Sequence, residues 1–291
     1  PAPPSPRGGR ARRAGGRGHG AGAAAARRRA PLHGSAAAPA PAPAPRPAIP
    51  PVAAPQPGER ETRIPIRGLR KKISEKMHLS KSTAAHFTYV DEVDVTDLVR
   101  MRRDLKAQVA EQGTKLTYMP FIMKAVVCAL KRFPTLNGIT DDARAEFVVK
   151  HYFNLGVAVD TPNGLIVPVV KNVDRLSIVE VAREVERVAA DVRDGKSKLD
   201  DLQDGTFTIT NAGNIGGLFA TPVINYPEAA ILGVHAIKQK PWIVDGEIKV
   251  RDIMYLSISI DHRMNDGATG AYFMNHVVAL LQDPRRLILE L

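Results

Sequence analysis

Cysteine is almost missing from this sequence: Cys128 is the single one among 291 residues. An intrachain disulfide is therefore excluded, as is a zinc site built from several thiolates, and the composition fits a reducing, cytoplasmic setting. Aromatic residues are scarce as well, at 5% of the chain. No stretch reaches the roughly 20 apolar residues that a membrane-crossing helix needs, and the Ala23 to Ala26 run is too short for a signal-peptide core. The chain opens on Pro1 rather than methionine, which reads as a fragment or a processed product. Several catalytic signatures are missing too. Gly213, Gly216 and Gly217 do not follow the dinucleotide-binding spacing, no lysine follows a glycine cluster as in a phosphate-binding loop, and no Gly-x-Ser-x-Gly elbow occurs. The eight histidines form no paired ligand spacing, so no metal site is expected.

Charge is present in excess but is unevenly placed. The formal net charge is +11, yet residues 1 to 60 hold ten arginines, no lysine and one acid, leaving 31 basic and 29 acidic residues for the remainder. The same sixty residues hold 14 of the 23 prolines, none of the aromatics, and only Leu32, Ile49 and Val52 as large aliphatics. Such a segment cannot bury a core and is expected to be a disordered Arg/Gly/Ala/Pro-rich tail. Within it, residues 39 to 57 alternate Pro and Ala, the pattern of a semi-rigid extended linker. Residues 1 to 38 use almost only amino acids with GC-rich codons, so a reading-frame error and an ordinary basic tail are both open. Ten arginines give salt-sensitive affinity for nucleic acid. The lack of interleaved aromatics for base stacking argues against that role.

From residue 61 the pattern is that of one mixed α/β domain reaching Leu291. Leu69, Ile73 and Met77 recur at helical spacing, as do Leu98, Met101, Leu105 and Val109 between Thr96, an expected N-cap, and Gly113, an expected C′ glycine. A third helix is predicted over Met119 to Arg132, in whose apolar run Cys128 reads as a core residue. Ser177 and Glu180 make a capping box for a fourth helix, ended by Gly195. Strands are predicted over Phe87–Val95, Phe147–His151, Phe153–Val159, Leu165–Lys171 and Phe207–Asn211. Thr161-Pro162-Asn163-Gly164 joins two of them as a hairpin turn, and Asp245-Gly246 joins Ala236–Val244 to Glu247–Ile260.

One segment concentrates polar side chains at the end of a hydrophobic strand. Leu256-Ser257-Ile258-Ser259-Ile260 alternates as a strand should and runs into Asp261-His262-Arg263-Met264-Asn265-Asp266-Gly267, after which Phe273, Val277, Leu280 and Leu281 line a helix face. Charged groups there must pair if they are buried. Asp266 stands where a helix cap belongs, four residues from His262, and is expected to cap the helix and help orient the imidazole. Arg263 has two possible partners, Asp261 and Asp266.

The His262-Arg263-x-x-Asp266-Gly267 segment resembles the signature of dihydrolipoamide acyltransferases of 2-oxoacid dehydrogenase complexes, shared in looser form with chloramphenicol acetyltransferase. The resemblance continues through the stretches 63–70, 86–94, 156–165, 205–211 and 227–233, so it spans about 228 residues in order. It implies a two-layer, mixed-sheet, chloramphenicol acetyltransferase-like α/β domain that forms trimers. The implied reaction moves an acyl group, acetyl or branched-chain, between dihydrolipoamide and coenzyme A, and the alternative is a stand-alone enzyme of the chloramphenicol type. Residue by residue, the resemblance implies His262 as general base, Thr210 as the hydroxyl donor to the oxyanion, and Asp266 in an orienting role. Arg70, Asn163 and Gly164 are implied near the coenzyme A channel, with Lys71 and Lys72 adding positive charge.

The family pattern further implies that trimers assemble into a cubic or dodecahedral core that serves decarboxylase and dihydrolipoamide dehydrogenase partners, with no membrane. The Leu287-Ile288-Leu289 tail is expected to be partly exposed on a monomer. Two departures stand out. Met264-Asn265 replaces the usual aliphatic pair, and no Asp-Lys-Ala lipoylation turn occurs, so the lipoyl group is expected on a domain absent from this chain.

Overall fold

The computed structural model describes residues 60–162 and 164–291. The expected tail and linker up to residue 59, and Asn163, lie outside them. Helix α1 (Gly68–Thr83) precedes strand β1 (His86–Asp94), and helices α2 (Thr96–Glu111) and α3 (Met119–Arg132) follow. Strands β2 (Gly138–Asp141) and β3 (Glu146–Val149) form a separate hairpin. Next come β4 (Leu155–Val157), β5 (Val159–Thr161), β6 (Gly164–Ile166) and β7 (Val169–Val170), then α4 (Ile178–Arg193) and β8 (Phe207–Asn211). Strands β9 (Ala230–Val234), β10 (Lys238–Val244) and β11 (Glu247–Asp261) lead to α5 (Gly267–Gln282) and α6 (Pro284–Glu290).

Seven of these strands make one mixed sheet in the order β1-β11-β9-β8-β4-β7, with β10 pairing β11 beyond β9. The β8 pairs with β9 and β4 are parallel, and the other pairs are antiparallel. Alternation sorts the strands into two unlike faces. Phe207, Ile209, Leu232, Val234, Leu256, Ile258 and Ile260 join side chains of α2 to α5 in the main apolar core. The opposite face carries Thr88, Thr208, Thr210, Gly233, Ser257 and Ser259, and the hydroxyls of Thr88, Thr208, Ser257 and Ser259 are hydrogen-bonded there. Thr88 and Ser259 share a hydrogen bond of 2.9 Å across the β1–β11 pair. Segment 212–229 and α1 lie on this side, where Ser80 donates to the Ile224 carbonyl at 2.7 Å.

Local chemistry explains most element boundaries. Ser177 and Glu180 complete the capping box, and Gly195, at φ 70°, ends α4. The Asp245-Gly246 turn has φ of 56° and 79°, the two positive values that a tight hairpin requires. Thr96 departs from its expected role: it is the first residue of α2, and its hydroxyl donates to Asp94 and accepts from the Asp252 N–H. The run Phe153–Val159 divides into β4 and β5, and Leu165–Lys171 into parts of β6 and β7, because a break near Ala158 and Pro168 moves the hairpin tip off the main sheet. Strand β9 carries no alternation and is apolar throughout because it is covered on both faces.

Inside the helical layer, Cys128 is buried, as is Lys124. The Lys124 ammonium donates to the carbonyls of Val173, Asp174 and Leu176 at 3.1, 3.3 and 2.7 Å. Burial lowers its pKa. Leu287, expected in an exposed tail, is instead a core residue at 1% exposure, while Ile288 and Leu289 stay exposed. No described helix is long and apolar enough to cross a membrane.

Candidate active site

His262 follows the last residue of β11, and main-chain contacts fix its place. Its N–H donates to the Ala85 carbonyl at 2.8 Å. The preceding Asp261 is 1% exposed and accepts from the Ala85 N–H and from Arg263, whose Nη2 lies 2.7 Å from one carboxylate oxygen and Nε 3.0 Å from the other. Burial opposes ionisation of Asp261, but Arg263 and these N–H groups outweigh it and hold the carboxyl below the usual range. Arg263 thus pairs with Asp261, and it also reaches Asp142 after β2 at 3.0 Å. Asn265 is buried, accepts from the Thr135 hydroxyl and donates to the Thr135 carbonyl, so the departure from an aliphatic residue there makes a polar anchor in place of a packing contact.

The imidazole itself is exposed and meets the Phe87 ring edge-to-face, with centroids 5.5 Å apart. Asp266 occupies the N-cap position of α5 in extended conformation, but its carboxylate makes no capping hydrogen bond. It also makes no hydrogen bond or ion pair with His262 among the described residues. The expected cap fails because the connection is already fixed by Asp261, Arg263 and Asn265, which leaves Asp266 facing solvent.

Thr210 lies elsewhere on the sheet. It pairs with Gly233 of β9, and its hydroxyl has no hydrogen-bond partner among the described residues. Asp261 leaves β11 level with Ala229, to whose carbonyl it donates at 2.9 Å. About 13 Å along the strands and about 10 Å across them separate Thr210 from Asp261, roughly 16 Å in all, and His262 is one residue farther. A single chain does not bring the two residues together.

Beside Thr210, His235 approaches Ser257 at 3.0 Å over the space that Gly233 leaves open, and burial lowers its pKa. Two residues before Thr210, Thr208 donates to the fully buried Glu228 at 2.6 Å, and Asn225 donates to the other carboxylate oxygen at 2.8 Å. Burial pushes the Glu228 carboxyl up to about 7 against these two donors.

Arg70 and Gly164 do meet. A Cβ on Gly164, which has φ of 131°, would stand 3.8 Å from Arg70 Nη2. Arg70 lines a surface cavity of about 470 Å³ together with Arg67, Arg193, Thr161, Pro162 and Ile166, among others. Arg67 lies in the 63–70 stretch but was given no role there, Arg193 belongs to no motif, and Asp142 and Phe87 were missed because their partners lie more than a hundred positions away. Among the described residues no cluster of His, Cys, Asp or Glu is arranged to hold a metal ion.

Residues 58–289 match the family described as 2-oxoacid dehydrogenases acyltransferase (catalytic domain). The chain belongs to this family. It is 49% identical over 242 residues to the dihydrolipoyllysine-residue acetyltransferase component of the Bacillus subtilis pyruvate dehydrogenase complex, covering 82% of this chain and 55% of that protein. The chain thus spans about half the length of the curated relatives it matches.

Among solved structures, Azotobacter vinelandii dihydrolipoamide acetyltransferase is 37% identical with a TM-score of 0.76, covering 83% of this chain and 99% of that one. That structure comes from work on the role of a serine, a histidine and an asparagine, the asparagine four positions after the histidine, in its catalytic mechanism. A probable dihydrolipoamide acetyltransferase from Listeria monocytogenes is 39% identical with a TM-score of 0.73, covering 77% of this chain and 95% of that one. The mixed α/β fold is therefore that of acetyltransferase cores.

Proposed function

We propose that this chain transfers an acyl group between dihydrolipoamide and coenzyme A and builds the core of a 2-oxoacid dehydrogenase complex. The observation that carries the reading is His262 on a rigid main-chain frame with Asp266 four residues on, in the histidine–asparagine spacing of the Azotobacter enzyme's mechanistic residues. A thiol of pKa about 8.5 is mostly protonated at neutral pH. His262 takes the thiol proton, and the thiolate attacks the thioester carbonyl. Thr210 donates to the resulting oxyanion, in the place of the Azotobacter serine. Collapse expels the second thiolate, which recovers the proton from His262, so no charge is left behind.

Because Thr210 and His262 are far apart in one chain, the site is completed by a neighbouring subunit of a trimer. The Arg67, Arg70 and Arg193 cavity suits the phosphates of coenzyme A. Trimers joining into a cubic or dodecahedral core, decarboxylase and dihydrolipoamide dehydrogenase partners, and a cytoplasmic location belong to the same proposal. In it, residues 1–60 act as tail and linker, and the lipoyl group arrives on another domain. The test is transfer from acetyl-, branched-chain acyl- and succinyl-coenzyme A to free dihydrolipoamide. Acetyl or branched-chain transfer is expected, and a protein inert with all three thioesters overturns the proposal.

A further inference from the structure

We propose that Phe87 is a positioning residue that holds the His262 imidazole in its working orientation, an inference that rests on His262 being the general base. The backbone of His262 is anchored through Ala85, but its ring makes no hydrogen bond among the described residues. The ring packs against the Phe87 ring, with centroids 5.5 Å apart and planes at 79°. A histidine on a fixed backbone still has several staggered χ1 wells, and one wall that favours a single well removes that freedom.

Phe87 is itself held from two sides. Its backbone pairs with Ile260 at the end of β11. Its ring tip reaches the first residue of α5, where a Cβ on Gly267 would stand 3.0 Å from Cζ and 3.1 Å from Cε1. The glycine therefore leaves the space that the phenyl ring occupies, and strand β1, the imidazole and the start of α5 are stacked through one side chain. Phe87 remains 37% exposed, so it adds little to the core. Its place is explained by its neighbour rather than by burial.

The geometry predicts a kcat effect with little change in KM, since orientation matters in the transition state. Phe87→Ala should lower kcat by about tenfold or more while either KM stays within twofold, and Phe87→Tyr should return most of the rate. Gly267→Ala should also lower kcat by pushing the ring, and this loss should shrink when Phe87 is already Leu. Each variant is assayed as the assembled protein, with thermal unfolding followed in parallel. Phe87→Leu serves as the second variant should the alanine form fail to fold.

His262→Ala is measured alongside. If it is inactive while Phe87→Ala and Phe87→Leu keep more than half the kcat, or lose activity through KM alone, the positioning role is overturned and the base remains. If His262→Ala keeps full activity, the base assignment falls and the inference falls with it.

Discussion

Thr210 on β8 and His262 after β11 lie toward opposite ends of two sheet strands that flank β9. A hydroxyl aimed at an oxyanion and a base aimed at a thiol must both lie within hydrogen-bond reach of one reacting centre. A site that uses both residues therefore draws them from two chains. Mixing His262→Ala chains with Thr210→Ala chains under subunit exchange should raise activity above either parent. An averaged activity, with exchange demonstrated by labelled chains, would show that the pair does not act across an interface.

The two side chains should also differ in kinetic signature. His262→Ala should lose roughly 10²- to 10⁴-fold in kcat, the contribution of a general base. Thr210→Ala should lower kcat more than it changes KM, and Thr210→Ser should retain most activity because it keeps the hydroxyl. Steady-state assays with both thiol substrates decide this, and a pure KM effect at Thr210 would make it a binding residue.

Glu228 gives a prediction in pH. Its carboxyl stands at about 7 in the fold against an ordinary value of 4.5, so folding favours the neutral form. Its stabilising contribution is complete below about 4.5 and is lost as pH rises through about 7, a change on the order of 3 kcal/mol. Glutamine stays neutral at every pH, so Glu228→Gln should flatten the fall of Tm between about pH 5 and about pH 8. Equal pH slopes for parent and variant would refute the assignment.

The C-terminus separates folding from assembly. Leu287 is part of the core, whereas Leu289 is 86% exposed. Leu289→Asp should leave the Tm of the folded chain within about 1 °C, as exposed substitutions usually do, yet reduce the sedimentation coefficient of the assembled particle. An unchanged particle would show that this side chain lies outside the contacts between trimers.

How far the sequence carried the fold depended on whether a signal was local. The α3 boundaries, the Ser177–Glu180 box and the Asp245-Gly246 turn were legible because each rests on residues within a few positions of one another. Strand β9 was not, since a strand covered on both faces shows no alternation. Asp266 read as a cap because spacing cannot reveal that Asp261, Arg263 and Asn265 have already fixed the loop. Arg263 could not be assigned a partner from sequence, and its link to Asp142 spans 121 positions. The placement of His262 and Thr210 at separate points of one sheet needed the strand register, which composition and motifs do not contain.

Lys124 gives the helical layer a built-in reporter. An amine reacts with acylating reagents through its free lone pair, and this one is shut away, with its donors directed at three carbonyls. Labelling at Lys124 therefore requires α3 to part from the 173–176 segment that precedes α4. Exposed lysines such as Lys71 and Lys115 carry no such condition. The ratio of modification at Lys124 to modification at those residues, read by mass spectrometry, measures how often the interior of this layer opens while the rest of the molecule stays folded.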